Sequence, residues 1–279
     1  MVKSIAIVGA NGFLGKYLVA AFHQKGFSVV AVYNKSFSPL ELDQVTWISW
    51  TDFLRGDCAV DTIVYSASII PYGTMNEKND EMLKVNAMQV DAIHQLYPHV
   101  HFIYISSVSV YASSPNPILE NSPWRPQNVY AETKLAGELL SKNFERNAIL
   151  RCSSIYGEGM KSNTFIPRCI DQAQKSGVIV LYGDGSRRQN YIHALDVANM
   201  CTLISDGSKS GEYLAVAPES LDNLSIATVI GESLSAQVQF KGEDVSPSFY
   251  YDACITYQKL NFTPEKNCLT TIKEMCHAE

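Results

Sequence analysis

The chain reads as an α/β protein: a doubly wound parallel sheet with a smaller C-terminal lobe. Three observations predict this. Short β-branched runs alternate with helical stretches over the first two-thirds, a glycine-rich turn joins the first strand to the first helix, and the pattern weakens beyond Gly211. The composition permits the class: 279 residues, 46% hydrophobic and 18% charged, are enough for a sizeable core.

Ser4–Val8 is the first predicted strand. A helix follows over Lys16–Gln24, with apolar Leu18, Val19, Ala21 and Phe22 and a closing Gly26. Strands are expected at Ser28–Val32, Val45–Ile48, Thr62–Tyr65, Phe102–Ile105 and Ala148–Leu150. Helices are expected at Glu81–Leu96, which carries Met82, Val85, Met88, Ile93 and Leu96, and at Val129–Asn143. Such alternation buries a parallel sheet between two helical layers. Val178–Tyr182 reads as a later strand leading into the turn Gly183-Asp184-Gly185-Ser186. The expected organisation is a large domain over residues 1–157, to which 190–206 return, and a small lobe over 158–279.

The bulk figures exclude several roles. With 22 Lys+Arg against 28 Asp+Glu, the net charge of −6 argues against a general nucleic-acid binder, which needs a basic face. No apolar run reaches the roughly 20 residues that span a bilayer. The N-terminal apolar run breaks at Gly9 and reads as a strand, not a signal peptide. Seven cysteines without C-x-x-C spacing read as reduced thiols, which implies a cytoplasmic protein. The histidines lack a ligand spacing, so no metal is expected.

Gly9-Ala10-Asn11-Gly12-Phe13-Leu14-Gly15 lies between the first strand and the first helix. One glycine permits the turn, the next lets a pyrophosphate approach the main chain, and the third lets helix and strand pack closely. The helix N-terminus adds open N–H groups and partial positive charge. The loop therefore predicts dinucleotide binding. An acid at the end of the second strand would favour NAD, but Tyr33-Asn34-Lys35-Ser36 has none. Asn34 and Lys35 favour a 2′-phosphate, and so NADP over NAD; the competing reading of Lys35 is a solvated loop lysine.

Tyr130-Ala131-Glu132-Thr133-Lys134 places a tyrosine and a lysine at i and i+4 on one helix face. A neighbouring ammonium favours the phenolate, bringing Tyr130 nearer acid–base use. Ser106, Ser107 and Ser109 follow the fifth strand, at the sheet edge where ligands bind.

With these motifs the chain resembles the extended short-chain dehydrogenase/reductases of Rossmann type, in their nucleotide-sugar epimerase, dehydratase and reductase branch. Further landmarks carry the resemblance: Asp61–Ser68, Asn86, Glu120–Pro126, Arg151–Gly157, Tyr182–Gly185, Tyr191–Val197 and Leu260–Pro264. It implies Ser107 as catalytic serine, because it lies four residues before Tyr111, with Tyr130 as general acid/base and Lys134 as ribose ligand. Gly9, Asn11, Gly12, Phe13 and Gly15 would hold the pyrophosphate, and Ser66 and Ala67 would flank the nicotinamide ribose. Ser68, Ser109, Ser154, Arg187 and Arg188 would line the substrate site. Four residues depart from the family pattern: Tyr33 and Ser49 where many members carry Asp, Ser154 in place of Asn, and Gln189 in place of Arg.

The resemblance implies an oxidoreductase, with NADP preferred over NAD, that reduces a 4-keto sugar nucleotide. The missing acid after the second strand favours a reductase, which exchanges cofactor, over an epimerase, which retains NAD. Val108-Ser109 follows Ser107 where a 4,6-dehydratase would carry further acids. The alternatives are an NAD-dependent sugar-nucleotide epimerase and a non-catalytic dinucleotide-binding regulator. The family commonly forms homodimers through the helices at Glu81–Leu96 and Tyr130–Asn143, and Leu135, Leu139 and Leu140 suit such packing or this chain's own core. His193 is expected to be a packed, hydrogen-bonded residue.

Overall fold

Valine and isoleucine crowd the predicted strands because β-branched side chains fit a pleated surface covered on both sides. The computed structural model describes residues 3–34, 40, 42–70 and 78–277. The strands are β1 (Ser4–Val8), β2 (Ser28–Tyr33), β3 (Val45–Ser49), β4 (Thr62–Tyr65), β5 (His101–Ser107) and β6 (Arg146–Cys152). Shorter ones follow: β7 (Ser154–Tyr156), β8 (Val178–Tyr182), β9 (Arg188–His193), β10 (Gly211–Ala215), β11 (Ser220–Asp222) and β12 (Gln237–Lys241). The helices are α1 (Phe13–Gln24), α2 (Trp50–Phe53), α3 (Asn79–Leu83), α4 (Gln89–Leu96) and α5 (Val129–Ser141). Later in the chain come α6 (Phe165–Ser176), α7 (Ala194–Asp206), α8 (Asn223–Leu234), α9 (Cys254–Leu260) and α10 (Cys268–His277).

The main sheet is parallel throughout, in the order β10-β6-β5-β4-β1-β2-β3. Strand order reverses between β1 and β4, which opens a crevice at their C-terminal ends. Alternate residues feed two cores. Ile5, Ile7, Val64 and Ile103 pack against Leu18 and Phe22 of α1 and against Val197 and Cys201 of α7. Ala6, Val8, Tyr65, Phe102 and Tyr104 face Phe53, Val90, Ile93 and Phe144 on the other side. The chain is thus Rossmann-like, with helices on both faces of one sheet.

Two predicted elements differ. The first helix begins at Phe13, three residues before Lys16, so the last glycine of the loop is already helical. The helix expected over Glu81–Leu96 runs from Asn79 and is interrupted by a π turn at Lys84–Met88. The return to the main sheet also extends beyond 206. β10 pairs in parallel with β6, Tyr213 beside Leu150, so the chain stays with the large sheet to Ala215. The run Gly211-Glu212-Tyr213-Leu214-Ala215 has no β-branched residue, which hid it from pattern reading.

α9 packs against β10 and α7 of the large domain, and most of the remaining elements build the smaller lobe. Its core joins Ile166 and Cys169 of α6, Ile179 and Leu181 of β8, Ile226 and Ile230 of α8, and Ile272 of α10. Tyr191 of β9 lies in the same core. All seven cysteines are free thiols, and Cys254 is exposed.

Candidate active site

The glycine loop sits at the topological reversal. Gly9 has φ +88°, a conformation that favours glycine, and a Cβ there would lie 2.8 Å from the Ala67 nitrogen. The loop is closed by Gly12 N–H donating to the Gly9 carbonyl at 2.9 Å. At Gly15 a Cβ would run into the Gly9 carbonyl, so only glycine lets α1 approach the turn. Gly12 caps α1 without a side-chain hydrogen bond, and the first turn carries no acid. The positive end of the helix therefore lacks a side-chain acceptor of its own. That geometry and the crevice fit a dinucleotide pyrophosphate. Asn11 and Phe13 lie within this loop, and both are half-buried.

Ser66 and Ala67 continue β4 beside the loop. The Ser66 hydroxyl donates to the Val8 carbonyl at 2.8 Å, which ties β4 to β1 at their C-terminal ends. Ser68 is bound to Asn86: its hydroxyl donates to Asn86 Oδ1 at 3.1 Å. The Asn86 amide also takes Ile69 N–H at 3.0 Å and donates to the Ile69 carbonyl and to Thr133 Oγ1, both at 3.1 Å. One buried side chain thus joins the loop after β4 to α5.

α5 starts at Asn128, whose side chain accepts Ala131 N–H at 3.0 Å as a helix cap. The helix packs on β5 and on the short 3₁₀ turn Val108–Val110. That brings Lys134 to the strand end bearing Ser107. The Ser107 oxygen accepts Ser109 N–H at 3.1 Å, and this bond does not use its own proton. The Ser109 hydroxyl is buried with no hydrogen-bond partner among the described residues.

Lys134 is 1% exposed. Its ammonium donates to the Ile105 carbonyl at 2.6 Å and lies 4.4 Å from the Tyr104 ring centroid. Burial pulls its pKa down to about 8, opposed by Cys152 and Glu138. Tyr130 is half-buried at the exposed end of the same face. Ser106, one of the alternatives to Ser107, turns inward and donates to Glu138 at 2.5 Å. Glu138 holds Arg151 at 2.8 Å, both fully buried, and Arg151 also reaches Tyr111 and the Glu120 carbonyl. Glu212, on β10, pairs with Arg151 at 2.8 Å.

The expected substrate residues are more scattered. Ser154 is exposed at the start of β7. Arg188 turns to the Ser220 carbonyl at 3.1 Å and the Asp222 carboxylate at 3.7 Å, in a surface depression with Asp184 and Ser225. Arg187 is half-buried, its Nε 3.4 Å from the Pro247 carbonyl. Gln189 donates to Asn223 at 2.9 Å and brings no charge to this region. Asn34 is exposed at the end of β2, and Lys35 lies outside the described residues. Ser49 caps α2 by accepting Asp52 N–H at 3.1 Å.

His193 is packed as expected. Its Nδ1 accepts Leu195 N–H at 3.1 Å, and its ring lies edge-on to Tyr17 and Tyr156. Burial lowers its pKa to about 4. Tyr65, Tyr104, Glu138 and Thr133 also serve the site but were not singled out from sequence. The one available signal was a tyrosine in each of the two predicted strands β4 and β5. Among the described residues, no group of three His, Cys, Asp or Glu side chains is placed to hold a metal. Among the same residues, no helix is long and apolar enough to cross a membrane.

Comparison with known proteins agrees with this geometry. The chain is 26% identical over 264 residues to a dTDP-glucose 4,6-dehydratase of Streptomyces niveus, covering 83% of this chain and 78% of the relative. It is 24% identical over 302 residues to a dTDP-4-dehydro-6-deoxy-D-allose reductase of Streptomyces bikiniensis, covering 94% and 92%. The fold matches that of MoeE5 in complex with UDP-glucose and NAD, with a TM-score of 0.85 at 22% identity over 98% and 97% of the two chains. A sequence model of one family spans residues 5–217, well over half the chain. The chain belongs to the NAD dependent epimerase/dehydratase family.

Proposed function

We propose that the chain is an NADPH-dependent reductase of a 4-keto sugar nucleotide. The observation that carries this reading is the buried Lys134 ammonium on the Ile105 carbonyl, two residues before Ser107 on β5, at the sheet edge that also holds the open glycine loop. The glycine loop and the α1 N-terminus bind the pyrophosphate, with Asn11 and Phe13 lining it, and Ser66, Ala67 and Lys134 face the ribose. When bound, the dinucleotide supplies the hydride. Ser107 donates its free proton as a hydrogen bond to the substrate carbonyl oxygen, orienting it. Tyr130 then delivers a proton to that oxygen, and the Lys134 ammonium stabilises the phenolate left behind.

The preference for reduction rests on two points. No carboxylate follows Ser107 in the turn Val108–Val110. The Streptomyces bikiniensis relative, named a reductase, aligns over 94% of this chain. Ser109, with its unpartnered hydroxyl, Ser68 and Ser154 contact the sugar in this reading. Arg187 meets the diphosphate, because Arg188 is already engaged by Asp222. The enzyme works in the cytoplasm as a homodimer, and exposed Leu83, Met88 and Leu139 on α3–α5 supply the apolar contact.

NADPH preference follows from the acid-free end of β2. Fluorescence titration with NADPH and NADH tests it. NADPH is expected to bind at least about tenfold more tightly, and Lys35→Ala to remove most of that difference. Equal affinities in the wild type, with no response to Lys35→Ala, would overturn the NADPH preference. Tightly retained NAD in the purified protein would favour the epimerase.

A further inference from the structure

The π turn at Lys84–Met88 has a consequence for the active-site lysine. A π turn shifts the helical ladder by one residue and leaves carbonyls without their usual partners. Here two strand tyrosines donate to carbonyls of the turn. Tyr65 donates to the Val85 carbonyl at 2.6 Å and Tyr104 to the Asn86 carbonyl at 2.5 Å. The two rings stack at 6.0 Å and 12°. Burial raises the pKa of the Tyr104 phenol well above its ordinary value, so the hydroxyl stays a donor. α5 is notched to admit this pair: a Cβ on Gly137 would lie 2.2 Å from both the Asn86 oxygen and the Tyr104 hydroxyl. The face of the ring thus fixed carries the Lys134 ammonium, 4.4 Å from its centroid.

We infer that Tyr104 is a positioning residue for Lys134: its ring face holds the buried ammonium, and its hydroxyl, anchored on the π turn, fixes that ring. The inference rests on the reading of Lys134 as the ribose ligand. A cation over an aromatic face is stabilised as a cation, which opposes the desolvation of a fully buried lysine. One Lys134 proton goes to the Ile105 carbonyl, so further donor capacity remains for a ligand hydroxyl. Phe102, two residues earlier on the same sheet face, provides the comparison. It is equally buried and stacks on Phe144 at 4.2 Å. No ammonium is placed over the Phe102 ring among the described contacts.

The test compares Tyr104→Met, Tyr104→Phe and Phe102→Leu by thermal melting and by fluorescence titration with NADPH and NADH. Tyr104→Met is expected to weaken dinucleotide binding about tenfold or more. Phe102→Leu should lower the melting temperature while leaving affinity within about twofold. Tyr104→Phe, which keeps the ring but loses its anchor on the Asn86 carbonyl, should bind more weakly than the wild type and at least about threefold more tightly than Tyr104→Met. Affinity of Tyr104→Met equal to that of Phe102→Leu would overturn the inference. So would a Tyr104→Phe variant as weak as Tyr104→Met. A wild-type chain that binds neither dinucleotide contradicts the reading of the site itself, a different result from unaffected Tyr104 variants. If Tyr104→Met does not fold, NMR of the ¹³C-lysine-labelled wild type decides. One ε-methylene resonance, absent in Lys134→Arg, should be shifted upfield by the ring; its absence overturns the inference.

Discussion

Glu138 and Arg151 show how far the site depends on buried charge. Each is fully buried, and their pairing draws in Ser106, Tyr111 and the Glu120 carbonyl. Desolvating both ions is costly, so the pair holds only because nearly every donor finds an acceptor. Glu138→Gln removes the charge that balances Arg151 and leaves only half-exposed Glu212 to compensate. Urea unfolding at pH 7 should show a loss of about 3 kcal/mol; a loss below about 1 kcal/mol would mean that Glu212 carries the guanidinium alone. At this scale the sequence was legible where spacing encodes geometry. Tyr130 and Lys134 fall on one helix four residues apart, as their spacing predicts, whereas the choice of Ser107 came from the family resemblance. Glu138 was not legible, because a carboxylate four residues after a lysine has the spacing of an ordinary solvated pair. Sequence left open which of Arg187 and Arg188 turns toward the site, because it does not say which way a strand position faces; the structure pairs Arg188 with Asp222.

Among the elements, α5 bears Tyr130 and Lys134 of the proposed site. Its buried face includes Thr133, Lys134, Gly137, Glu138 and Ser141, so it packs through polar groups and a notch, not an apolar stripe. Of the three leucines suited to an interface, Leu135 and Leu140 pack on this chain's own cores and Leu139 is 51% exposed. Gly137 is the notch. In an ordinary helix interior Gly→Ala would stabilise by roughly 1 kcal/mol. Here the added methyl meets the Asn86 carbonyl and the Tyr104 hydroxyl, so Gly137→Ala should destabilise by about 1–3 kcal/mol in urea unfolding. A stabilised variant would contradict the close packing of α5 on the π turn. The π turn itself was invisible in sequence. Met82, Val85, Met88, Ile93 and Leu96 fit a continuous helix, and one inserted residue barely disturbs that spacing.

For the whole molecule, strand and helix order was readable because both cores are built from alternating apolar residues on one sheet. β10 escaped because Gly211–Ala215 has no β-branched residue, although its Tyr213, Leu214 and Ala215 are buried. Buried histidines tie the two parts of the chain to pH. His101 is 1% exposed, donates from Nε2 to the Lys209 carbonyl at 3.1 Å, and has no partner for Nδ1 among the described residues. Burial lowers the pKa of both His101 and His193 to about 4. Between about 6.5 and 4 the unfolded chain binds protons that the folded chain refuses. Their contribution is therefore present above about pH 6.5 and is lost as pH falls toward 4. Thermal melts from pH 7 to 4.5 should show a falling midpoint, with a shallower slope in His101→Gln. An unchanged slope would mean that His101 is not held neutral.

In the function proposed above, proton delivery by Tyr130 is what separates an enzyme from a dinucleotide carrier. The direct measurement pairs an NADPH titration with turnover on 4-keto sugar nucleotides for the wild type and Tyr130→Phe. NADPH affinity should stay within about twofold, because the pyrophosphate cradle and Lys134 remain, while kcat should fall by about 10²–10⁴. A Tyr130→Phe enzyme with wild-type kcat would contradict the assignment.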